Sequence, residues 1–137
     1  MFFKKEKNQY QNTKVETYEV KIYVGGKVGY DGEIVSLTVV EDVCQEYVNK
    51  IGLCVTVTDT NYVYKNGREH GYIVGFINYP RFPEEKEAIK HKAIFLAIKL
   101  KEALRQIRVS IVCPDETIMI GDNQKLNELT SGIGVIK

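Results

Sequence analysis

The chain is predicted to be α+β: an antiparallel sheet with two helices on one face, in the split βαβ (ferredoxin-like) order, with an extra C-terminal strand. Three observations carry this. Several segments alternate apolar and polar residues with a period of two, and two longer ones repeat their apolar residues every three to four positions. These segments follow one another as β-α-β-β-α-β and then one more strand. With 137 residues, 44% hydrophobic and 27% charged, the chain suits one ordinary core.

Residues 1–14 are polar and carry four lysines, so they read as a loosely held N-terminal arm, with residues 15–137 forming a single α+β domain. In "YEVKIYVGG" Val20, Ile22 and Val24 point to one face and Glu19, Lys21 and Tyr23 to the other, which makes a half-buried strand. The glycines of "GGKVGYDGE" argue against regular structure after it. A helix follows, with Thr38 and Glu41 spaced as a capping box. Its stripe is Val40, Val43, Cys44, Tyr47, Val48 and Ile51, and Gly52 ends it.

"LCVTVTDT" returns to period two, with Leu53, Val55 and Val57 inward. Asn66-Gly67 signals a reversal, and "YIVGFINY" runs back antiparallel. Gly75 inside that strand marks a bulge or a close neighbour. Beyond Pro83 a helix of about 23 residues is expected, acidic at its start and basic at its end as the macrodipole favours. Its stripe is Ile89, Ala93, Leu96, Ala97, Leu100, Leu104 and Ile107, while Ile94, Phe95 and Ile98 lie on its shoulder. That shoulder calls for a cover, either the chain itself or a second subunit, and a homo-oligomer is the expectation. "RVSIVC", a turn at Pro114-Asp115 and "TIMIG" complete the sheet, and residues 122–137 show no clean period.

Net charge is +1, so no overall field recruits DNA or a membrane surface. The opening residues lack the apolar core of a signal peptide, and no run approaches the length of a membrane span, so a cytoplasmic protein is expected. Cys44, Cys54 and Cys113 read as small buried hydrophobes in a reducing compartment. The two histidines share no metal-ligand spacing, so no metal and no cofactor are expected. No nucleophile motif is present either, so no residue is assigned as catalytic.

The stretch "GFINYPRFPEEKE" is the expected working surface. Pro80 and Pro83 stiffen it, which lowers the entropy lost when a ligand docks. Arg81 offers a planar fork for phosphate, and Tyr79 or Phe82 a face for a purine, with Asn78 beside them. The competing reading is that Phe82 staples onto the helix and Arg81 is solvated. Arg105 and Arg108, at the far end of the same helix, reach Arg81 only across an antiparallel pair of subunits. Lys27, in the glycine segment, either assists an anion held by backbone N–H groups or sits in a flexible turn.

The runs "GYIVGFINYPRFP", "VTVTDTNYVYKNGREHGY" and "RQIRVSIVCPDETIMIGD" are similar to phage anti-Thoeris proteins of the first type, over roughly residues 20–120. That resemblance implies a non-enzymatic immune-evasion oligomer in the infected host's cytoplasm. It would capture a cyclic ADP-ribose isomer made by TIR-domain enzymes, and some members also hold cyclic oligonucleotides at a second site. Two alternatives stand beside it. One is a small nucleotide-processing enzyme using His70 or Glu69 near the arginines; the other is an assembly subunit with no small ligand.

Overall fold

The computed structural model describes residues 10–28 and 32–122. The elements are β1 (Glu19–Gly25), α1 (Leu37–Ile51), β2 (Thr56–Tyr64), β3 (Gly67–Ile77), α2 (Lys86–Ala103), β4 (Arg108–Val112) and β5 (Thr117–Gly121). The strands form one sheet in the order β2-β3-β1-β4-β5, and every neighbouring pair is antiparallel. This is the predicted split arrangement, with β5 added outside β4. Most of residues 1–14 and nearly all of the tail lie outside the described residues.

Alternation along the strands decides which face is covered. Val20, Ile22 and Val24 of β1, Tyr72, Val74 and Phe76 of β3, and Val109 and Ile111 of β4 are all buried on the helix side. Against them α2 lays Ile89, Ala93, Leu96, Ala97 and Leu100, and α1 lays Val40, Cys44 and Tyr47. Each large aliphatic side chain removed from water here contributes about 1.5–3 kcal/mol. Tyr47 also donates its hydroxyl to the Lys92 carbonyl at 3.0 Å, which fastens one helix to the other. Of the shoulder residues, Ile94 packs against the core, whereas Phe95 remains 60% exposed.

Several local expectations need correction. The cap of α1 is Ser36, whose hydroxyl accepts from the Val39 N–H at 3.3 Å, so the helix begins ahead of Thr38. Helix α2 has 18 residues rather than about 23, because Glu84 and Glu85 still belong to the entry segment and the helix ends at Ala103, leaving Leu104 and Ile107 beyond it. Of the two readings of Gly75, the close neighbour holds and the bulge does not: its pairing with Lys21 and Thr56 is continuous, and the Thr56 hydroxyl takes the room a side chain would need. The glycine segment is partly regular, since Lys27 bridges to Ile34 and Val35 donates to the Gly26 carbonyl at 2.7 Å. Cys44 and Cys113 are buried as expected, but Cys54 is exposed.

The end of α2 departs from common usage. Arg105 holds φ 54°, the left-handed region, and the Gln106 N–H returns to the Lys101 carbonyl at 2.9 Å. That six-to-one bond is the usual left-handed helix stop, with arginine where glycine is preferred. The conformation costs a non-glycine residue roughly 1–2 kcal/mol, and the Arg105 side chain is exposed. Replacing Arg105 by glycine should therefore stabilise the protein by up to about 1 kcal/mol, a rise in midpoint readable by urea denaturation.

Lys90 is the one buried charged side chain among the described residues, and it is doubly paired. Its Nζ donates to Glu116 at 2.8 Å and to Asp115 at 2.9 Å, so the β4–β5 turn is pinned to α2. The Glu116 and Asp115 contacts raise the Lys90 pKa, and the Lys90 contact in turn holds Asp115 below its ordinary value of 3.8. A depressed carboxylate stabilises the fold above its unfolded pKa and loses that contribution as pH falls through the folded one. Thermal stability should thus drop on acidification below about pH 4, and Lys90→Met should flatten that drop, as melting curves across pH 2–6 would reveal.

Candidate active site

The two ends of the sheet are built for different tasks. At one end, Asn78 follows Ile77, which faces Glu19 at the start of β1. Gly25 closes β1 at the other end, about 20 Å away at the usual strand rise.

At the Asn78 end the polar groups are already occupied by the fold. The Asn78 side chain donates to the Glu16 carbonyl at 2.9 Å and accepts from the Glu84 N–H at 3.0 Å. It ties the segment before β1 to the entry of α2. The Cys54 thiol beside Tyr79, together with burial, raises the Tyr79 phenol pKa. The Phe82 N–H donates to the Tyr79 carbonyl at 2.9 Å, so the proline-framed stretch is a closed turn. Arg81 is exposed and lies over the Phe82 ring, 5.5 Å from its centre. The cavity touching Tyr79 and Phe82 holds about 30 Å³, enough for a water and far too little for a nucleotide.

At the Gly25 end lies an open cleft of about 660 Å³, within the range of small-molecule sites. Gly25, Lys27, Tyr62, Tyr64, Glu69 and Arg108 line it together with Gln106 and Ile107. Lys27 and Arg108, two of the sequence-predicted residues, therefore meet within a single chain. Arg105 is not in the lining, and Asn78, Tyr79, Arg81 and Phe82 belong to the opposite end.

The cleft arises from strand register. Tyr62 and Glu69 face each other across β2 and β3, on the sheet face away from the helices. Gly71 lets the Tyr62 ring lie down over β3, since a Cβ there would collide with it. The Tyr62 hydroxyl donates to the Val24 carbonyl at 3.1 Å, and burial, with Tyr23 and Glu69 nearby, pushes its pKa up to about 12. Gly25 leaves a second gap: a Cβ there would stand 2.6 Å from Gln106 Oε1 and 3.3 Å from Glu69 Oε2. The carboxylate of Glu69 is thus held beside bare backbone, half-buried, within a cleft that also carries two cations and two phenol rings.

His70, adjacent in sequence, points to the other face of the sheet. It pairs with Asp59 at 3.2 Å and stands edge-on to Tyr72 at 5.0 Å. Alternation along an extended strand separates the two residues, so of that pair only Glu69 belongs to the cleft. Sequence reasoning did not single out Tyr62, Tyr64 or Gln106. Counting back from Asn66-Gly67 as the loop would have paired Tyr64 with Glu69; the strands turn one residue earlier, at Lys65-Asn66, which sets Tyr62 opposite Glu69, and nothing local marks Gln106.

No family model matches the chain, and no curated protein matches it. Among solved structures it is similar to a phage SAM lyase in the apo state, with TM-score 0.61 and 19% identity over 77% of this chain and 90% of that one. It is also similar to a phage SAM lyase in complex with S-methyl-5'-thioadenosine, with TM-score 0.63 and 17% identity over 82% of this chain and 95% of that one. The chain shares their fold. These neighbours are enzymes, which overturns the expectation of a non-catalytic cyclic ADP-ribose sponge and favours the alternative of a small nucleotide-processing enzyme. The second neighbour holds an adenosine derivative, so a small ligand in general is what they support rather than cyclic ADP-ribose. Nothing in them bears on the anti-Thoeris resemblance itself. Among the described residues no helix is long and apolar enough to cross a membrane.

If Asn78 serves the fold, Asn78→Ala should cost about 1–3 kcal/mol, because it strands a part-buried N–H, while leaving ligand affinity at the far cleft unchanged. Denaturant titration and ligand titration on the same variant separate the two effects.

Proposed function

We propose that the chain is a small enzyme that cleaves an adenosyl sulfonium, S-adenosylmethionine, by a lyase reaction in the Glu69 cleft. One observation carries this reading: an acid, two basic groups and two aromatic rings converge on a cleft of nucleoside size. The likeness in fold to phage SAM lyases supports it.

The substrate offers a partner for each group. Adenine and the sulfonium both suit phenol faces, the first by stacking and the second by cation–π attraction. Lys27 and Arg108 suit the amino-acid carboxylate, and Glu69 its ammonium. Because the carboxylate and ammonium sit on one carbon, opposite charges on the two sides of the cleft fix the orientation of the whole side chain.

S-Methyl-5'-thioadenosine keeps both the methyl and the adenosyl group on sulfur. Forming it from S-adenosylmethionine breaks the bond between sulfur and the γ-carbon of the amino-acid chain. The electron pair stays on sulfur, which becomes a neutral thioether. Such a leaving group takes no proton, so a general acid is unnecessary, in keeping with His70 lying on the far face. The substrate's own carboxylate reaches the γ-carbon by closing a five-membered ring. The products are then S-methyl-5'-thioadenosine and a cationic aminolactone, which together hold every atom of the substrate without added water. Catalysis here is positioning, with Glu69 and the two cations bending the chain toward ring closure.

The test is to incubate the purified protein with S-adenosylmethionine and follow the products by liquid chromatography and mass spectrometry. S-Methyl-5'-thioadenosine should accumulate over many turnovers. Glu69→Gln should lower kcat/KM roughly 10- to 100-fold, the weight of one charge-assisted hydrogen bond, and Arg81→Ala should leave it unchanged. Recovery of intact substrate after prolonged incubation would sink the reading.

A further inference from the structure

Gln106 is a cleft residue whose side-chain amide donates to backbone carbonyls. From the turn after α2 its Nε2 donates to the Lys27 carbonyl and also to the Leu104 carbonyl at 3.0 Å. The first carbonyl belongs to the segment that follows β1, the second to the end of α2. One side-chain amide therefore joins two elements that are far apart in sequence.

The rest of the Lys27 segment is held from its other side. The Gly26 N–H donates to the His70 carbonyl at 3.0 Å, Val28 donates to Glu33 at 2.9 Å, and Val35 donates to Gly26 at 2.7 Å. These bonds fasten it to β3 and to itself. Gln106 supplies a bond toward α2, and its remaining oxygen faces the bare Gly25 backbone beside Glu69. The left-handed Arg105 is what turns the chain so that Gln106 reaches back at all.

Resting on the lyase reading above, we infer that Gln106 is a positioning residue, which fixes the Lys27 backbone against the end of α2 and so sets Lys27 in the cleft wall. Its effect on the substrate runs through Lys27. It should be felt in binding, since Lys27 grips the carboxylate before and during the reaction alike.

Gln106→Met keeps the length of the side chain, removes both donors and adds no charge beside Glu69. Amide exchange at Val28 and Val35 should then quicken about five- to tenfold, the weight of one net hydrogen bond, with the β3 amides unchanged. KM for S-adenosylmethionine should rise by a similar factor at nearly constant kcat. In a Lys27→Ala background the same substitution should leave KM where it is. Unchanged exchange would overturn the clamp. An equal KM rise with and without the Lys27 side chain would overturn action through Lys27 and make Gln106 a direct contact. Should the protein leave S-adenosylmethionine untouched, the lyase reading fails, and the exchange result still decides the clamp.

Discussion

Gly25 and Gly71 face each other across β1 and β3 at one end of the sheet, on the side away from the helices. The missing pair of side chains is the constraint on which the cleft depends. Over Gly71 the Tyr62 ring lies flat, and beside Gly25 the Glu69 and Gln106 side chains come together. A methyl group at either position would enter space those groups occupy. Strand interiors ordinarily lose packing to glycine, but here the loss brings an acid, an amide and a phenol ring to one patch of bare backbone.

The opposite end of the sheet uses its polar groups for cohesion. Asn78 bridges two backbone segments with both ends of its amide, and Lys90 pins the β4–β5 turn to α2 through two carboxylates. Between these ends runs β1, central in the sheet and buried on its helix face. A rigid strand between a fastened end and an open one holds the cleft residues in place while leaving them free to meet a ligand. Burial of a polar group without a partner is costly, so side chains committed to backbone at one end are poor ligand groups.

That division gives the proline-framed corner a role in the fold. Stiffness, an arginine and an aromatic ring are equally the properties of a closed turn at a helix entry. Arg81 finds its partner in the Phe82 ring, and the cavity touching Tyr79 and Phe82 has room only for water. The cyclic ADP-ribose reading came from the family resemblance, one run of which contains that corner. The solved structures that share this fold are phage SAM lyases, one of them in complex with S-methyl-5'-thioadenosine.

The order of elements, the inward residues of β1, the stripe of α2 and the β2–β3 reversal were all legible in the amino-acid sequence, because periodicity and turn chemistry act over a few neighbouring residues. Helix ends were read less well, since Ser36 and Arg105 are chosen by geometry that competes with the commoner Thr38 and glycine signals. Lys27, Arg108 and Glu69 could be named from sequence, and Glu69 set near the arginines as one alternative, but the sequence did not bring all three into one cleft. Their meeting depends on the pairing of β1 with β3 and β4 and on the return of Gln106 from α2. Local sequence determined the strands and helices; only tertiary packing decided which of their charged side chains share one cleft, because contacts across a sheet join residues far apart along the chain.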